Sequence, residues 1–168
     1  MTYFKDLSEY SYFQEYNRPN TVNIGWLENG RKFQKETPTE EFLNRLWSLC
    51  SVSVAGSRGL HSCDLCSDSI FIVNEERNGT SYCLGSSEIR VFSDNGMIYA
   101  SPNIIYHYVK KHKYNPPEEF INAVLSSPIP PDPKYFKILH LHELEWRNTP
   151  PRNDNKILKP YRKNKKRI

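Results

Sequence analysis

The chain has 168 residues, 38% of them hydrophobic and 13% aromatic, which is enough apolar material for one buried core and excludes disorder throughout. It contains no run of 18 apolar residues and no early stretch of signal-peptide length, so a bilayer span is excluded and the expected location is the cytoplasm. The net charge of +4 is uneven: residues 152–168 hold eight Lys or Arg against Asp154, a local +7, and leave the other 151 residues at −3.

Thr21-Val22-Asn23-Ile24-Gly25-Trp26-Leu27 alternates as a strand does, after an opening rich in Tyr and Phe. Thr37-Pro38-Thr39-Glu40-Glu41 predicts a helix start with Thr37 as N-cap, followed by Phe42, Leu43, Leu46, Trp47, Leu49 and Cys50 at helical spacing. Cys50 reads as part of that apolar face, since free cysteines are commonly buried. Ile70 to Val73 and Ser81 to Leu84 predict two short strands around a turn at Arg77-Asn78-Gly79-Thr80, so the sequon Asn78-Gly79-Thr80 reads as a turn. Glu88 to Phe92 and Met97 to Ala100 flank Ser93-Asp94-Asn95-Gly96, a strong hairpin signal.

A second helix is predicted from Ser101-Pro102 and a third from Asn115-Pro116-Pro117-Glu118. The echo between "TPTEEFLN" and "NPPEEFIN" is shared helix-start grammar rather than a repeat. Beyond Ser126 the composition changes. Ser127 to Pro133 reads as a stiff, extended linker, and Tyr135 to Trp146 as a short apolar segment carrying His140 and His142 in alternation. The organisation expected is a compact domain at 1–125, a proline-rich linker with a short docking segment at 126–151, and a basic tail at 152–168.

Four cysteines stand at 50, 63, 66 and 83. For a cytoplasmic chain the Cys63-x-x-Cys66 pair reads first as a metal knuckle and second as a redox pair, though no thioredoxin-like pattern surrounds it. Two thiolates at this spacing can face one ion about 2.3 Å from each sulfur. The complement lies some 40 residues on: His107 and His112, on a helix that follows a hairpin. Positions five apart do not share a helix face well, so the helix must tighten or end near His112. The expected cofactor is one structural Zn2+ on Cys63, Cys66, His107 and His112, with His61 and Cys83 as rivals. The bland alternative is that no metal binds and these are ordinary core or surface groups. A strand pair separates knuckle from helix, unlike the short finger, so no DNA-reading helix is implied.

Four protein ligands close a zinc site and make it a staple rather than a catalyst. A three-ligand site with an open position could instead serve a hydrolase, with Glu88 as base, although its strand setting favours a surface role. Nucleophilic triads, a Walker loop and a dinucleotide fingerprint are missing, which favours a non-enzymatic chain.

"TYFKDLSEYSYF", "NIGWL", "RGLHSCDLC" and "EIRVF…GMIYASPNIIYHYVKKHKYNPPEEFINAVL" together resemble an uncharacterised bacterial family of small proteins over about residues 1–125. The resemblance implies a single intact domain that pairs knuckle with helix. It attaches no activity.

The fold class expected is α+β: a small, mainly antiparallel sheet with two or three helices, stapled by zinc. The function expected is a protein-interaction module, of the kind that serves as an immunity or accessory protein in bacterial conflict systems, with an unidentified protein partner. The alternative is binding of nucleic acid or another polyanion through Arg162, Lys163, Lys165, Lys166 and Arg167, by release of counterions. A solvated terminus would look the same.

Overall fold

The computed structural model describes residues 2–57, 59–67 and 72–144, and arranges them as an α+β domain with two small, mostly antiparallel sheets and four helices. Strand β1 (Thr21–Asn23) runs parallel to β5 (Ile98–Pro102), and β4 (Glu88–Phe92) pairs antiparallel on the other side of β5. A separate hairpin joins β2 (Val73–Arg77) to β3 (Thr80–Leu84). The predicted turn sits between them: Asn78 and Gly79 have φ of +52° and +73°, the two left-handed positions that such a turn needs. Of the strand predicted at Ile70 to Val73, residues 70 and 71 lie outside the described residues, and the ladder starts at Val73. The parallel ladder is shorter than the alternation suggested, because Gly25 turns to φ +72° and takes the chain out of the sheet.

Helix α1 (Glu40–Leu49) starts two residues later than predicted. Thr39, not Thr37, is the N-cap, its Oγ1 accepting from the Phe42 N–H at 3.2 Å. This register leaves Glu40 and Glu41 in the first turn, where the helix dipole favours acids. Helix α2 (Ile105–His112) also starts later than Ser101-Pro102 suggested. Ser101 and Pro102 still belong to β5, paired with Ile89 and Glu88, and the Ser101 hydroxyl donates to the Ile24 carbonyl at 2.7 Å. Helix α3 (Glu118–Ser126) follows the predicted proline start.

One face of the three-stranded sheet packs on these helices. Tyr99 meets Phe120 edge-on at 5.7 Å, and Phe42 of α1 meets the same ring at 6.4 Å. Arg45 of α1 donates to the Val124 and Ser127 carbonyls at 2.5 Å each, satisfying acceptors that the end of α3 leaves free. Trp47 is shared: its ring lies 4.7 Å from Tyr106 of α2 and 4.5 Å from Tyr82 of β3, so the hairpin is seated on the helical layer.

The opposite face is covered by the opening segment and by the last helix. Tyr10 and Trp26 bury their rings over Ala100, with Phe4 and Tyr12 beside them. Of the aromatics in the opening motif, Tyr10 is fully buried and Phe4 and Tyr12 are half-buried against it. Residues Pro133–Leu141 form a helix, α4, rather than the alternating segment predicted, because Asp132 caps it by accepting from the Lys134 N–H at 2.8 Å. Tyr135 and Leu139, four apart on one side, are fully buried, as is Leu144 beyond the helix. The basic tail, 152–168, with Arg162, Lys163, Lys165, Lys166 and Arg167, lies outside the described residues, as does Trp146.

Candidate metal centre

The turn Cys63-Asp64-Leu65-Cys66 closes through the Cys66 N–H, which donates to the Cys63 carbonyl at 3.3 Å. That closure carries both sulfurs to one side. The approach to the turn is pinned to the connection after β3, where the His61 N–H donates to the Gly85 carbonyl at 2.9 Å. Gly85 has φ +101°, and a Cβ there would lie 2.3 Å from the His61 carbonyl oxygen, so only glycine permits the approach. Asn103, in the short link between β5 and α2, accepts from the Gly85 N–H at 2.6 Å and donates to Ser87 at 3.0 Å. One buried amide thus holds the knuckle's anchor beside the helix that must complete the site.

On α2 the five-residue spacing is resolved as the sequence required: the helix ends at His112. Lys113 takes φ +60°, and the Tyr114 N–H returns to the Tyr108 carbonyl at 3.1 Å, a left-handed helix stop. The terminal side chain then reaches back toward the preceding turn, as helical side chains do. His107 Nε2 and His112 Nε2 each lie 3.3 Å from Cys66 Sγ, and His112 Nε2 lies 3.2 Å from Cys63 Sγ.

The four donor atoms all fall within 4.8 Å of one another, which makes this group a candidate metal centre among the described residues. Zinc at about 2.3 Å from sulfur and about 2.05 Å from nitrogen, in tetrahedral array, implies sulfur–nitrogen edges of about 3.5 Å. The observed edges are a few tenths of an ångström shorter, within reach of small side-chain adjustments. Burial, with the neighbouring Cys66 adding to it, pushes the Cys63 thiol up to about 11. Burial also lowers His112, helped by His107, Lys111 and Lys35, which favours the neutral imidazole. A neutral imidazole is the form that binds a metal.

The rival ligands fall elsewhere. Cys83 is exposed on β3, next to Tyr82; strand alternation sends Tyr82 toward the helices and Cys83 away from them. His61 lines a small cavity with Tyr12, Phe13 and Trp26, and neither residue belongs to the four-donor group. Cys50 is buried at the end of α1, its thiol facing the Asn103 carbonyl at 3.6 Å. Glu88 is not the surface residue that its strand setting suggested. It is 2% exposed and bonded to Arg90 and Tyr10 on the far face of the sheet. A residue that sequence reasoning missed is Glu75 of β2: its Oε1 lies 2.7 Å from His107 Nδ1, and its Oε2 accepts from Lys110 at 2.6 Å. Burial favours the protonated form, but these two partners outweigh it and hold the carboxyl below its usual range. A lone Glu in an alternating strand carries no signal of such a contact.

Fold and site together define an α+β domain with a Cys2His2 cluster able to hold a metal ion. The family model described as a domain of unknown function, DUF7919, matches residues 2–125, and the chain belongs to that family. No curated protein and no solved structure matches the chain. No helix among the described residues is long and apolar enough to cross a membrane.

Proposed function

We propose that the protein is a non-enzymatic zinc-binding module in which Zn2+, held by Cys63, Cys66, His107 and His112, fastens the knuckle to α2. The observation that carries this reading is the convergence of four donor atoms of two kinds, two sulfurs and two imidazole nitrogens, within 4.8 Å. That mixed set suits zinc, whereas hard cations prefer oxygen. Four protein ligands fill a tetrahedral shell and leave no position for an attacking water, so the metal acts on stability. Elemental analysis of the purified chain should find one zinc per molecule, with Cys63 and Cys66 protected from thiol reagents until a chelator is added. Protein without zinc, with both thiols freely titratable, overturns the reading.

The body is read as a surface for a protein partner. Leu60 and Ile72, which flank the knuckle segment in sequence, are 44% and 47% exposed and offer apolar side chains to a partner. By analogy with small domains that lack catalytic groups, the partner class is a toxin or defence effector encoded beside this chain. Co-purification of such a neighbour's product, lost on Leu60→Asp, supports this; no association with any neighbour's product removes it. For the basic tail the reading is polyanion binding. Truncation after Pro151 should then abolish a nucleic-acid affinity whose logarithm falls by about 0.7 to 0.9 per phosphate per log unit of salt. Binding that survives truncation refutes it.

A further inference from the structure

Glu75 stands outside the four-donor group but touches it. The carboxylate can only accept, so at 2.7 Å the His107 Nδ1 must carry the proton, and the lone pair of the neutral ring is left on Nε2. That Nε2 is the atom 3.3 Å from Cys66 Sγ. The second carboxylate oxygen is occupied by Lys110, one turn along the same helix, so the carboxylate is held from two points and cannot swing into the cluster itself. The side chain is 13% exposed, partly shielded from water that would compete for the bond.

The hairpin that carries Glu75 is seated independently of any metal. Arg77 donates to Asn44 and Glu40 of α1 at 2.7 and 2.5 Å, and Tyr82, opposite Glu75 in the ladder, packs on Trp47. The acceptor is therefore in place before an ion arrives. His112 shows no carboxylate partner among the described residues, so the two histidines are not equivalent.

We propose that Glu75 is the positioning residue of the metal centre: it fixes His107 in the Nδ1–H form, directs Nε2 at the ion, and thereby ties metal affinity to the seating of the β2–β3 hairpin on α2. The proposal rests on the zinc reading above. Carboxylates in this position raise the basicity of the ligating imidazole and orient it, and their loss typically lowers metal affinity 10- to 100-fold.

The test uses the full chain loaded with zinc. Nitrogen–proton correlation spectra of the histidine rings should show His107 protonated at Nδ1 and metal-bound at Nε2. Zinc affinity, measured by competition with a chromophoric chelator, should fall about 10- to 100-fold in Glu75→Ala with one zinc per chain retained at saturation. Glu75→Gln keeps an acceptor but not the charge and should fall between that variant and the wild type. Lys110→Ala breaks only the outer ion pair and should cost at most about fivefold, the range of an exposed pair. Wild-type affinity in both Glu75 variants, or His107 bound through Nδ1, overturns the proposal while leaving the zinc site standing. A wild-type chain that binds no zinc overturns the zinc reading and this proposal with it. Should Glu75→Ala fail to fold, the wild-type ring spectrum alone decides, because the tautomer is read without any substitution.

Discussion

Two clusters of polar groups, one buried and one half-buried, lie on opposite sides of this small domain, and they are built on different principles. On the far face of the three-stranded sheet, Arg90 and Glu88 of β4 form an ion pair at 0% and 2% exposure, Tyr10 donates to the other Glu88 oxygen at 2.9 Å, and the Arg90 guanidinium lies 4.9 Å from the centre of the Tyr10 ring. Cation, anion and hydroxyl complement one another there, and the opening segment and α4 close over them. At the metal side, Cys63, Cys66, His107 and His112 bring together two sulfurs and two ring nitrogens, all electron-pair donors to a metal. Their sulfurs and ring nitrogens can exchange at most a few weak hydrogen bonds. A cluster of opposite charges holds itself together, while a cluster of metal-type donors is able to take up an ion. The first is a device of folding, and on the zinc reading proposed above the second makes folding depend on an ion from outside.

Taking the ion away is the strongest way to separate the two sides. Chelation, or Cys63→Ser, should lower the melting temperature and solubility together, since structural zinc supplies on the order of 10 kcal/mol or more in isolated fingers. Hydrogen exchange should show the loss concentrated in residues 60–67 and the end of α2, with the β4–β5 ladder still protected. Equal loss everywhere would mean that the two clusters are not separate devices.

At the far side, Glu88→Ala leaves the Arg90 charge buried and unpaired, and should destabilise by about 3 to 5 kcal/mol in denaturant titrations. The double change Glu88→Leu with Arg90→Met removes both charges and should recover most of that loss. Arg90 Nε and Nη2 have no hydrogen-bond partner among the described residues, which further favours the apolar replacement. A double variant as unstable as the single one would show that the pair contributes more than it costs to bury.

The closure over that side can be loosened more gently. Arg18 donates to the His142 and Glu143 carbonyls at 2.6 and 3.0 Å, just past the end of α4, and Tyr135 of that helix donates to the Arg90 carbonyl at 3.1 Å. Arg18→Ala should cost about 1.5 to 3 kcal/mol, the range for charged hydrogen bonds, and raise exchange in α4 before the rest of the domain.

The smallest effect expected is a difference in the sign of pH dependence. Burial raises the Asp6 carboxyl above its ordinary value of 3.8, despite bonds from the Gly25 N–H and the Tyr114 hydroxyl. Burial raises Glu88 as well, with Arg90 and Tyr10 pulling the other way. A folded state that keeps a proton which the unfolded chain has lost becomes less stable as pH rises from about 4 through the raised values. On the proposed zinc reading the order reverses at the metal side, because protons compete with the ion for thiolate and imidazole, and acid weakens the site. In the zinc-free chain Asp6→Asn should flatten the slope above pH 4 and leave the stability near pH 3 almost unchanged.

How much of this was legible before folding depends on whether a feature is local. Both hairpin turns were readable because Asn-Gly carries its backbone preference in two residues. Helix starts were found to within a few residues, and their errors have one cause: Thr37 and Thr39 offer the same cap chemistry, and Ser101-Pro102 looks like a start until the ladder with β4 claims it. Helix α4 was missed because alternating His140 and His142 mask the pairing of Tyr135 with Leu139, which gains meaning only against the far face of the sheet.

The metal centre divides in the same way. Residue type and spacing alone determined Cys63-x-x-Cys66 and the need for α2 to end at His112, since a turn and a helix stop are short-range geometry. Tertiary structure decided which cysteines and histidines meet. Strand alternation turned Cys83 away, the Gly85 contact led His61 off toward Trp26, and hairpin docking brought Glu75 to His107. It also buried Glu88, whose sequence neighbours suggested a surface strand, because the face it occupies is covered by residues about 80 positions earlier and 45 positions later. Charge and spacing along the chain carry no information about which face another segment will cover, so these outcomes required the packed fold.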